Sequence, residues 1–142
     1  TSLTVASHAG KILLTNDADG VFTLPTINVS SNSGVAGETD YNNPNNIGAS
    51  FYFFVETAAT DMDIKTDGTD KFVGSVVVGV DDGSKKIFVP SADNDVITMN
   101  GGTKGGIAGS VLKITAIDDD KYLVHDSILI GSSTIVTPFA DA

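Results

Sequence analysis

Side chains able to do chemistry are few in this sequence, and their spacing gathers no catalytic set. The two histidines, His8 and His125, lie far apart along the chain, and neither is near a nucleophile motif such as Gly-x-Ser-x-Gly. His125 falls on the strand parity opposite Tyr122 and Val124, which predicts a surface position. The chain has no cysteine, which excludes a thiolate nucleophile, a thiolate metal site and a disulfide framework. We therefore expect a protein that is not an enzyme.

Two segments resemble binding motifs, but each lacks a required part. Residues 101–109 are rich in glycine, yet a phosphate-binding loop needs Lys and then Ser or Thr after its last glycine, followed by a helix. Residues 16–20 resemble the start of a calcium loop, but no Glu stands at the twelfth position. The predictions are a flexible loop between strands for residues 101–109 and a plain hairpin turn for residues 16–20.

Acidic residues also cluster at two places that could together collect a weak cation. These are residues 81–82 and residues 118–120, all of them aspartates. Clusters of this kind are more often solvated turns than metal sites. We expect neither a metal nor a cofactor.

Charge and length restrict the possible partners. The 142 residues include 18 acidic and 8 basic side chains, a formal net charge of −10. Such a surface repels phosphate backbones, so nucleic-acid binding is not expected. No apolar run approaches the roughly 20 residues of a membrane span, so a soluble protein without a membrane partner is predicted. This length is typical of one domain, and we expect a single β domain over residues 1–142.

Short apolar segments separated by turn dipeptides predict the strands that must position these side chains. Asp-Gly and Asn-Gly favour two-residue hairpins. Such pairs stand between apolar segments at residues 19–20, 67–68, 82–83 and 100–101. Residues 11–15 and 21–24 are thus expected to pair. No segment has a sustained period of 3.6 residues, so the predicted fold is all-β, an antiparallel β-sandwich or β-barrel with hairpin connections and one long polar loop.

The strand predicted over residues 121–130 contains one irregularity. Tyr122, Val124, Ile128 and Ile130 share one parity, and Asp126 interrupts this apolar face. An acidic residue at that position indicates a β-bulge or a bend.

The aromatic segment around Phe51 is the strongest indication of a contact with another molecule. Successive side chains of a strand point to opposite faces, so Phe51, Phe53 and Val55 share one face while Tyr52 and Phe54 share the other. Both faces are apolar, and the second must be covered by the chain itself or by another subunit. Both alternatives remain open at this point. The candidate subunit-interface residues are Phe51, Tyr52 and Phe54.

Two further segments are expected to lie outside the core. Residues 26–47 form a polar, Asn-rich connection, and connections of this length are usually functional or mobile. Their few apolar side chains, Val35, Tyr41 and Ile47, could contact a neighbour or the second face of the aromatic strand. Residues 134–142, which include Pro138 and Phe139, are predicted to be a tail that is ordered only when it docks.

An ordered set of motifs along the chain resembles a known family. The motifs read Val-Phe-Thr-Leu-Pro at residues 21–25, Gly-Ala-Ser-Phe-Tyr-Phe-Phe-Val at 48–55, Ile-Lys-Thr-Asp-Gly-Thr-Asp-Lys-Phe-Val-Gly-Ser at 64–75, and Asn-Asp-Val-Ile-Thr-Met-Asn-Gly-Gly-Thr-Lys-Gly-Gly at 94–106, followed by Gly-Ser at 109–110. Together they resemble the head decoration, or capsid cement, proteins of tailed bacteriophages. The chain departs from that pattern in the insertion over residues 26–47 and in Tyr122, where family members often carry Trp.

The resemblance implies a virion structural protein on the outer capsid surface, assembled in the host cytoplasm and without enzymatic activity. Its partners would be the phage major capsid protein and further copies of itself, commonly in a homotrimer. Candidate contacts with the capsid or a neighbour lie in the long loop and the tail, at Val35, Tyr41, Asn42, Pro44, Ile47, Pro138 and Phe139.

The alternative function is a carbohydrate-binding or adhesin-type β-domain. In that case the Asn-rich loop would supply hydrogen bonds, and Tyr41 would supply a ring that stacks on a sugar.

Overall fold

Among the residues that the structure describes, strands account for 46% and helix for 3%. The structure is a computed structural model that describes residues 1–29, 45–132 and 134–142. Its elements are α1 (Val5–His8), β1 (Ile12–Thr15), β2 (Val21–Thr23), β3 (Ser50–Val55), β4 (Met62–Lys65), β5 (Lys71–Gly74), β6 (Val76–Val80), β7 (Lys85–Phe88), β8 (Val96–Met99), β9 (Val111–Asp118), β10 (Lys121–Gly131) and β11 (Phe139–Ala140). Within these ranges, no helix has the length and apolar character needed to cross a bilayer.

Seven strands form the larger of two mixed sheets. Its order is β1-β3-β9-β10-β6-β7, and β5 also pairs with β10. The long strand β10 pairs antiparallel with β9 on one side and parallel with β5 and then β6 on the other. Strands β1 and β3 are also parallel. The smaller sheet has the order β11-β8-β4-β2, in which β2 and β4 are parallel.

The predicted all-β, sandwich-like architecture is confirmed, but its antiparallel pairing is only partly correct. The turn at Asp82-Gly83 does connect an antiparallel hairpin, β6–β7. The pairing expected between residues 11–15 and 21–24 is wrong, because β1 belongs to the large sheet and β2 to the small one. The Asp19-Gly20 turn, in which the Gly20 N–H donates to the Asp17 carbonyl over 3.3 Å, carries the chain from one sheet to the other.

The core lies between the two sheets. From the aromatic strand β3, Phe51, Phe53 and Val55 point inward and are 0–1% exposed. The small sheet contributes Met62, Ile64, Ile97 and Met99, all fully buried. The Phe22 and Phe53 rings meet edge to face, with centroids 6.0 Å apart and planes at 62°, an arrangement that aromatic pairs favour.

Strand β10 contains the bulge that the sequence predicts. Its register against β9 shifts between His125 and Ile128, and Asp126 adopts a positive φ of 47°. One extra residue reverses the parity of everything after it. Tyr122 and Val124 therefore point into the core, whereas Ile128 is 53% exposed and Leu129 is buried. The expectation that Ile128 and Ile130 share the face of Tyr122 is wrong for this reason.

The glycine-rich segment at residues 101–109 packs tightly against β10, unlike the flexible loop predicted from its composition. Gly105 and Gly106 are buried, and a Cβ at Gly105 would lie 2.6 Å from the Leu129 Cβ. The Asn100 side-chain carbonyl accepts from the Gly102 and Lys104 N–H groups at 3.0 and 2.9 Å. Glycine is required here by close approach and by positive φ.

We expect Gly105→Ala to lower the free energy of unfolding by about 2–4 kcal/mol, since the new methyl group clashes with Leu129 at a φ of +77°. Urea unfolding monitored by circular dichroism measures this loss. Gly79→Ala is the matched control, because its Cβ would meet the nearest atom at an ordinary 3.5 Å, and it should stay within about 1 kcal/mol of wild type. Equal effects of the two changes would contradict the packing described for residues 101–109.

Candidate functional site

The face of the large sheet that points away from the small sheet, hereafter the outer face, has a continuous row of apolar side chains. Residues paired across neighbouring strands share a face of the sheet. The strand registers place Leu14 beside Phe54, Phe54 beside Val111, Val111 beside Ile128, Ile128 beside Val77 and Val77 beside Ile87. This apolar row crosses six strands, from the β1 edge of the sheet to the β7 edge.

Much of the apolar row is accessible to solvent. Ile87 is 70% exposed, Leu14 62%, Ile128 53% and Phe54 36%, while Val77 and Val111 are half-buried. Single exposed apolar residues are ordinary, but a contiguous set marks an interaction surface. The outer face is therefore a candidate interaction surface.

The structure separates the three predicted interface residues. Tyr52 is half-buried on the outer face, and Phe54 is exposed there in the apolar row. Phe51 is 0% exposed, because strand alternation points it into the core. Phe51 is thus a core residue, and its assignment as an interface candidate is corrected.

Sequence reasoning missed the apolar residues on the two edge strands. Ile12 and Leu14 on β1 are both 62% exposed, and Ile87 lies on β7. A signal for β1 was present, since Ile12-Leu13-Leu14 is apolar on both strand parities, as the aromatic strand is.

Next to the apolar row, a chain of hydrogen bonds links four polar side chains on the outer face. The Ser50 and Thr115 hydroxyls are 2.6 Å apart, and Thr115 Oγ1 lies 2.8 Å from His125 Nε2. His125 Nδ1 is 3.0 Å from Asp126 Oδ2. A hydroxyl, an imidazole and a carboxylate in this order resemble the parts of a nucleophilic relay.

The backbone N–H that directly follows the hydroxyl of this relay is not free to bind an oxyanion. The N–H of Ala116, which directly follows Thr115, donates to the Ala49 carbonyl at 3.0 Å. Thr115 itself lies in the middle of a strand that is paired on both sides. Stabilisation of a developing oxyanion is usually the largest catalytic contribution, so these groups are better described as a polar network that holds the bulge at Asp126.

The two acidic clusters do not meet. Residues 118–120 lie at the start of β10 and residues 81–82 beside its end, where Gly131 pairs with Val80. Ten residues of strand separate these ends by about 33 Å, so the two clusters cannot share one cation. Carboxylate oxygens of residues 118–120 lie within 4.8 Å of one another. The Lys121 ammonium is already 3.2 Å from the Asp118 carboxylate and 2.6 Å from that of Asp120, and these bonds raise the pKa of Lys121 to about 12.

The long polar loop is closed at its base by paired backbone and side-chain hydrogen bonds. The Asn46 N–H donates to the Asn28 carbonyl at 3.0 Å, and the Asn28 N–H donates to the Asn46 side chain at 2.8 Å. The Asn46 amide also donates to the Thr26 carbonyl at 2.9 Å. We call residues 26–28 and 45–47 the neck. Of the predicted contact residues, Ile47 lies at the neck and is 39% exposed, whereas Val35, Tyr41, Asn42 and Pro44 lie outside the described residues.

Two aspartates fasten the neck to the body of the protein. The Asp67 carboxylate accepts from the Thr26 hydroxyl at 2.6 Å and from the Thr69 hydroxyl at 2.7 Å, and the Asp70 carboxylate accepts from the Ile27 N–H at 2.8 Å. Burial alone would raise the pKa of Asp67, but hydrogen bonds from Thr26, Thr69 and the Asp70 N–H outweigh it and lower the pKa to about 2. Burial raises the pKa of Asp70, and the charge of Asp67 adds to that rise.

The tail docks on the protein's own small sheet. Strand β11 pairs antiparallel with β8, and both Pro138 and Phe139 are buried. Asp95 holds the chain end, because its carboxylate accepts from the Ala142 N–H at 3.0 Å and from Lys71 at 2.8 Å. The proposed role of Pro138 and Phe139 as external contacts is corrected, since these side chains are already packed inside the protein.

A scan of protein-family models, a search of curated proteins and a search of solved structures each found no match.

The two hydroxyl bonds to Asp67 predict an acid-sensitive contribution to stability. The folded-state pKa of about 2 lies below the ordinary value near 3.9, so the contribution is complete above about pH 4 and is lost as the pH falls through 2. We expect Asp67→Asn to lower the free energy of unfolding by about 1 kcal/mol at pH 7, an amount limited by solvent screening, and to make little difference at pH 2.

Urea unfolding of the wild type and Asp67→Asn at pH 7, 4 and 2 measures this difference. Asp61→Asn serves as the control, because it removes the same charge at an exposed position and should have little effect at any of these pH values. A constant difference between wild type and Asp67→Asn from pH 7 to pH 2 would contradict the assignment.

Proposed function

We propose that the chain is a virion structural protein without enzymatic activity, an outer-capsid decoration or cement protein that binds the phage head as a homotrimer. The observation that carries this proposal is the apolar row, which supports self-association through the outer face. The motif resemblance to phage head decoration proteins points to the same function. The proposed partners are further copies of the chain and the major capsid protein.

The free energy gained by burying the apolar row limits how much of the stability of the assembly the row can explain. Complete burial of a large apolar side chain is worth about 1.5–3 kcal/mol, and the four most exposed members of the row are between 36% and 70% exposed. Burying the exposed area of these four side chains would contribute about 3–6 kcal/mol per protomer to the free energy of association. Association costs at least about 4 kcal/mol in lost translational and rotational freedom. The row favours assembly but needs further contacts to make it stable.

The charge of the chain suits an outward position on the head. Three copies at −10 each give −30, and such a surface would be repelled by packaged DNA. Placed outside the shell, an acidic trimer meets no such repulsion.

The neck supports a role for the long loop in binding the capsid. Its hydrogen bonds to Asp67 and Asp70 fix where the loop leaves the body, so a contact made by residues 26–47 would be transmitted to the core. In this proposal the loop bridges neighbouring capsid subunits, and the buried area it adds stabilises the shell against internal pressure.

We expect Phe54→Ser to weaken trimer assembly at least roughly tenfold while leaving the strand content unchanged, because Phe54 lies in the exposed apolar row. Native mass in solution and circular dichroism measure the two properties. Binding to the heads is measured by co-sedimentation with empty heads built from the cognate major capsid protein.

Phe53→Ser is the matched control one position earlier. It removes a side chain that is 0% exposed, so it should destabilise the fold itself by about 3–5 kcal/mol. A Phe54→Ser protein that retains its mass and its binding to heads would refute the role given to the outer face. A wild-type chain that never binds heads would refute the decoration function.

One observation favours the carbohydrate-binding alternative. A groove of about 500 Å³ on the outer face is lined by Tyr52 together with Ser50, Lys113 and Asp126, and an aromatic ring flanked by polar side chains is a common way to hold a sugar. A glycan array tests this function directly. Selective binding that Tyr52→Ala abolishes would support the alternative, and silence across the array would leave decoration as the better proposal.

A further inference from the structure

The large sheet ends in two strands that have no neighbour on their outer edge among the described residues, β1 and β7. The pairing directions around the sheet determine how these edges are related. Strands β1, β3, β10 and β6 run one way, whereas β9 and β7 run the other. Strand β7 is therefore antiparallel to β1. A second copy placed beside the first in the same orientation would bring its β1 next to β7 as an antiparallel pair.

We infer that β7 of one copy pairs antiparallel with β1 of the next copy, so that the large sheet continues across the subunit boundary. This inference rests on the self-association proposed above and names the surfaces that mediate it. Exposed sheet edges offer unpaired backbone N–H and C=O groups and are ready sites for such pairing. These backbone bonds would add to the contribution of the apolar row.

The apolar residues on the two edges specify one register. If the apolar row continues from one copy to the next, Ile87 lies opposite Leu14, and Val89 then lies opposite Ile12. These four side chains are 70%, 62%, 69% and 62% exposed, respectively. A shift by two residues in one direction places Lys85 opposite Leu14, and a shift by two in the other direction places Ile87 opposite Asn16. Either shift loses one of the two apolar pairs. Only the register that continues the row matches both pairs.

The charges at the two edges agree with the same register. Strand β7 begins with exposed Lys85 and Lys86. In the inferred pairing, Lys85 lies opposite Asn16 and close to Asp17, with Asp19 and Glu56 near the same end of β1. These acidic residues are all exposed, and none forms an ion pair within the part of the chain that the structure describes.

A two-fold contact would use only one of these edges. Pairing of β7 with a second β7 would leave its lysines without carboxylate partners, and pairing of β1 with a second β1 would leave Ile87, Val89 and the lysines of β7 uncovered. Contact between unlike edges is heterologous, and a heterologous contact forms a ring such as a trimer when the rotation between copies closes, and an open filament when it does not.

Lysines on an edge strand also serve to prevent unwanted pairing. Protection alone does not account for β7, because Ile87 and the following Val89 are among the most exposed large apolar residues described. A protected edge would not present both of these side chains.

A disulfide test is sharp here because the chain has no cysteine of its own. Directly opposed residues of an antiparallel pair have Cβ atoms about 4.5–5.5 Å apart, whereas diagonal neighbours are about 7–8 Å apart, and a disulfide needs the closer arrangement. The chain with both Leu14→Cys and Ile87→Cys should therefore give a covalent trimer on oxidation, in solution and on heads. The chain with Ile12→Cys and Ile87→Cys, which is out of register by two residues, should form little covalent trimer.

Non-reducing electrophoresis and native mass measure the products, and the reduced proteins are checked for wild-type strand content. A trimer that persists and binds heads but forms no Leu14→Cys to Ile87→Cys bond would overturn the edge pairing and leave the proposed function intact. Efficient formation of a covalent dimer by Leu14→Cys alone would overturn the β7–β1 pairing in favour of a two-fold contact. A chain that is monomeric both in solution and on heads would overturn the pairing, and failure to bind heads would overturn the proposed function.

A charge exchange tests the register without cysteines. Lys85→Glu should weaken assembly roughly threefold to tenfold, as expected for an exposed ion pair, and adding Asp17→Lys in the same chain should restore it. Equal weakening in the single and double variants would contradict the inferred proximity of these two positions.

Discussion

The structure depends on one constraint, namely that a sheet has two faces and the described residues cover only one face of the large sheet. Side chains alternate along every strand, so the small sheet can bury only the inward half of the large one. That half is fully used, since Phe51, Phe53 and Leu112 are at most 1% exposed. The other half remains apolar in the row that crosses six strands, and no element in the described ranges packs over it. An interaction surface is the direct consequence of building a two-faced apolar sheet with cover for one face.

The bulge at Asp126 determines which residues form that surface. Without the extra residue, Ile128 would share the inward parity of Tyr122 and Val124, and the row would be interrupted at β10, its middle. The positive φ of Asp126 and its contact with His125 allow the chain to insert one residue at this point. As a result, Leu129 fills the core and Ile128 joins the outer face. A local backbone feature thus sets the chemistry of a surface that extends across the whole sheet.

The features predictable from sequence were those determined by neighbours in the chain. Alternation assigned Phe53 to one face and Phe54 to the other, the position of Asp126 indicated a bulge, and Asp82-Gly83 indicated a hairpin. Pairing partners were not predictable in this way, because Asp19-Gly20 makes a turn just as Asp82-Gly83 does and yet connects two different sheets. A turn dipeptide specifies a reversal of direction, whereas the sheet that receives the next strand is decided by long-range packing.

The candidate site was also predictable only in part, because long-range packing decides which strands bring its residues together. Parity placed Phe54 on the face opposite Phe53, but the other members of the apolar row, such as Leu14, Val111 and Ile128, come from strands far away in sequence. The tail shows the converse case. Pro138-Phe139 was correctly expected to need a docking surface, but nothing local indicated that β8 of the same chain provides it.

Under the proposed function, one small protein would have to hold a capsid and its own copies at once, so the positions of the neck and of the apolar row matter. The neck lies at the end of the sandwich where β3 and β10 begin, since the Gly48 N–H donates to the Ala116 carbonyl and the Tyr122 hydroxyl to that of Pro25. The apolar row runs across the outer face and ends at the sheet edges. Under the proposed function, the loop would bind the capsid from the base that the neck fixes, while the copies would pair through the edges of the large sheet. Contacts between copies would then reinforce the shell only while each copy remains bound to it.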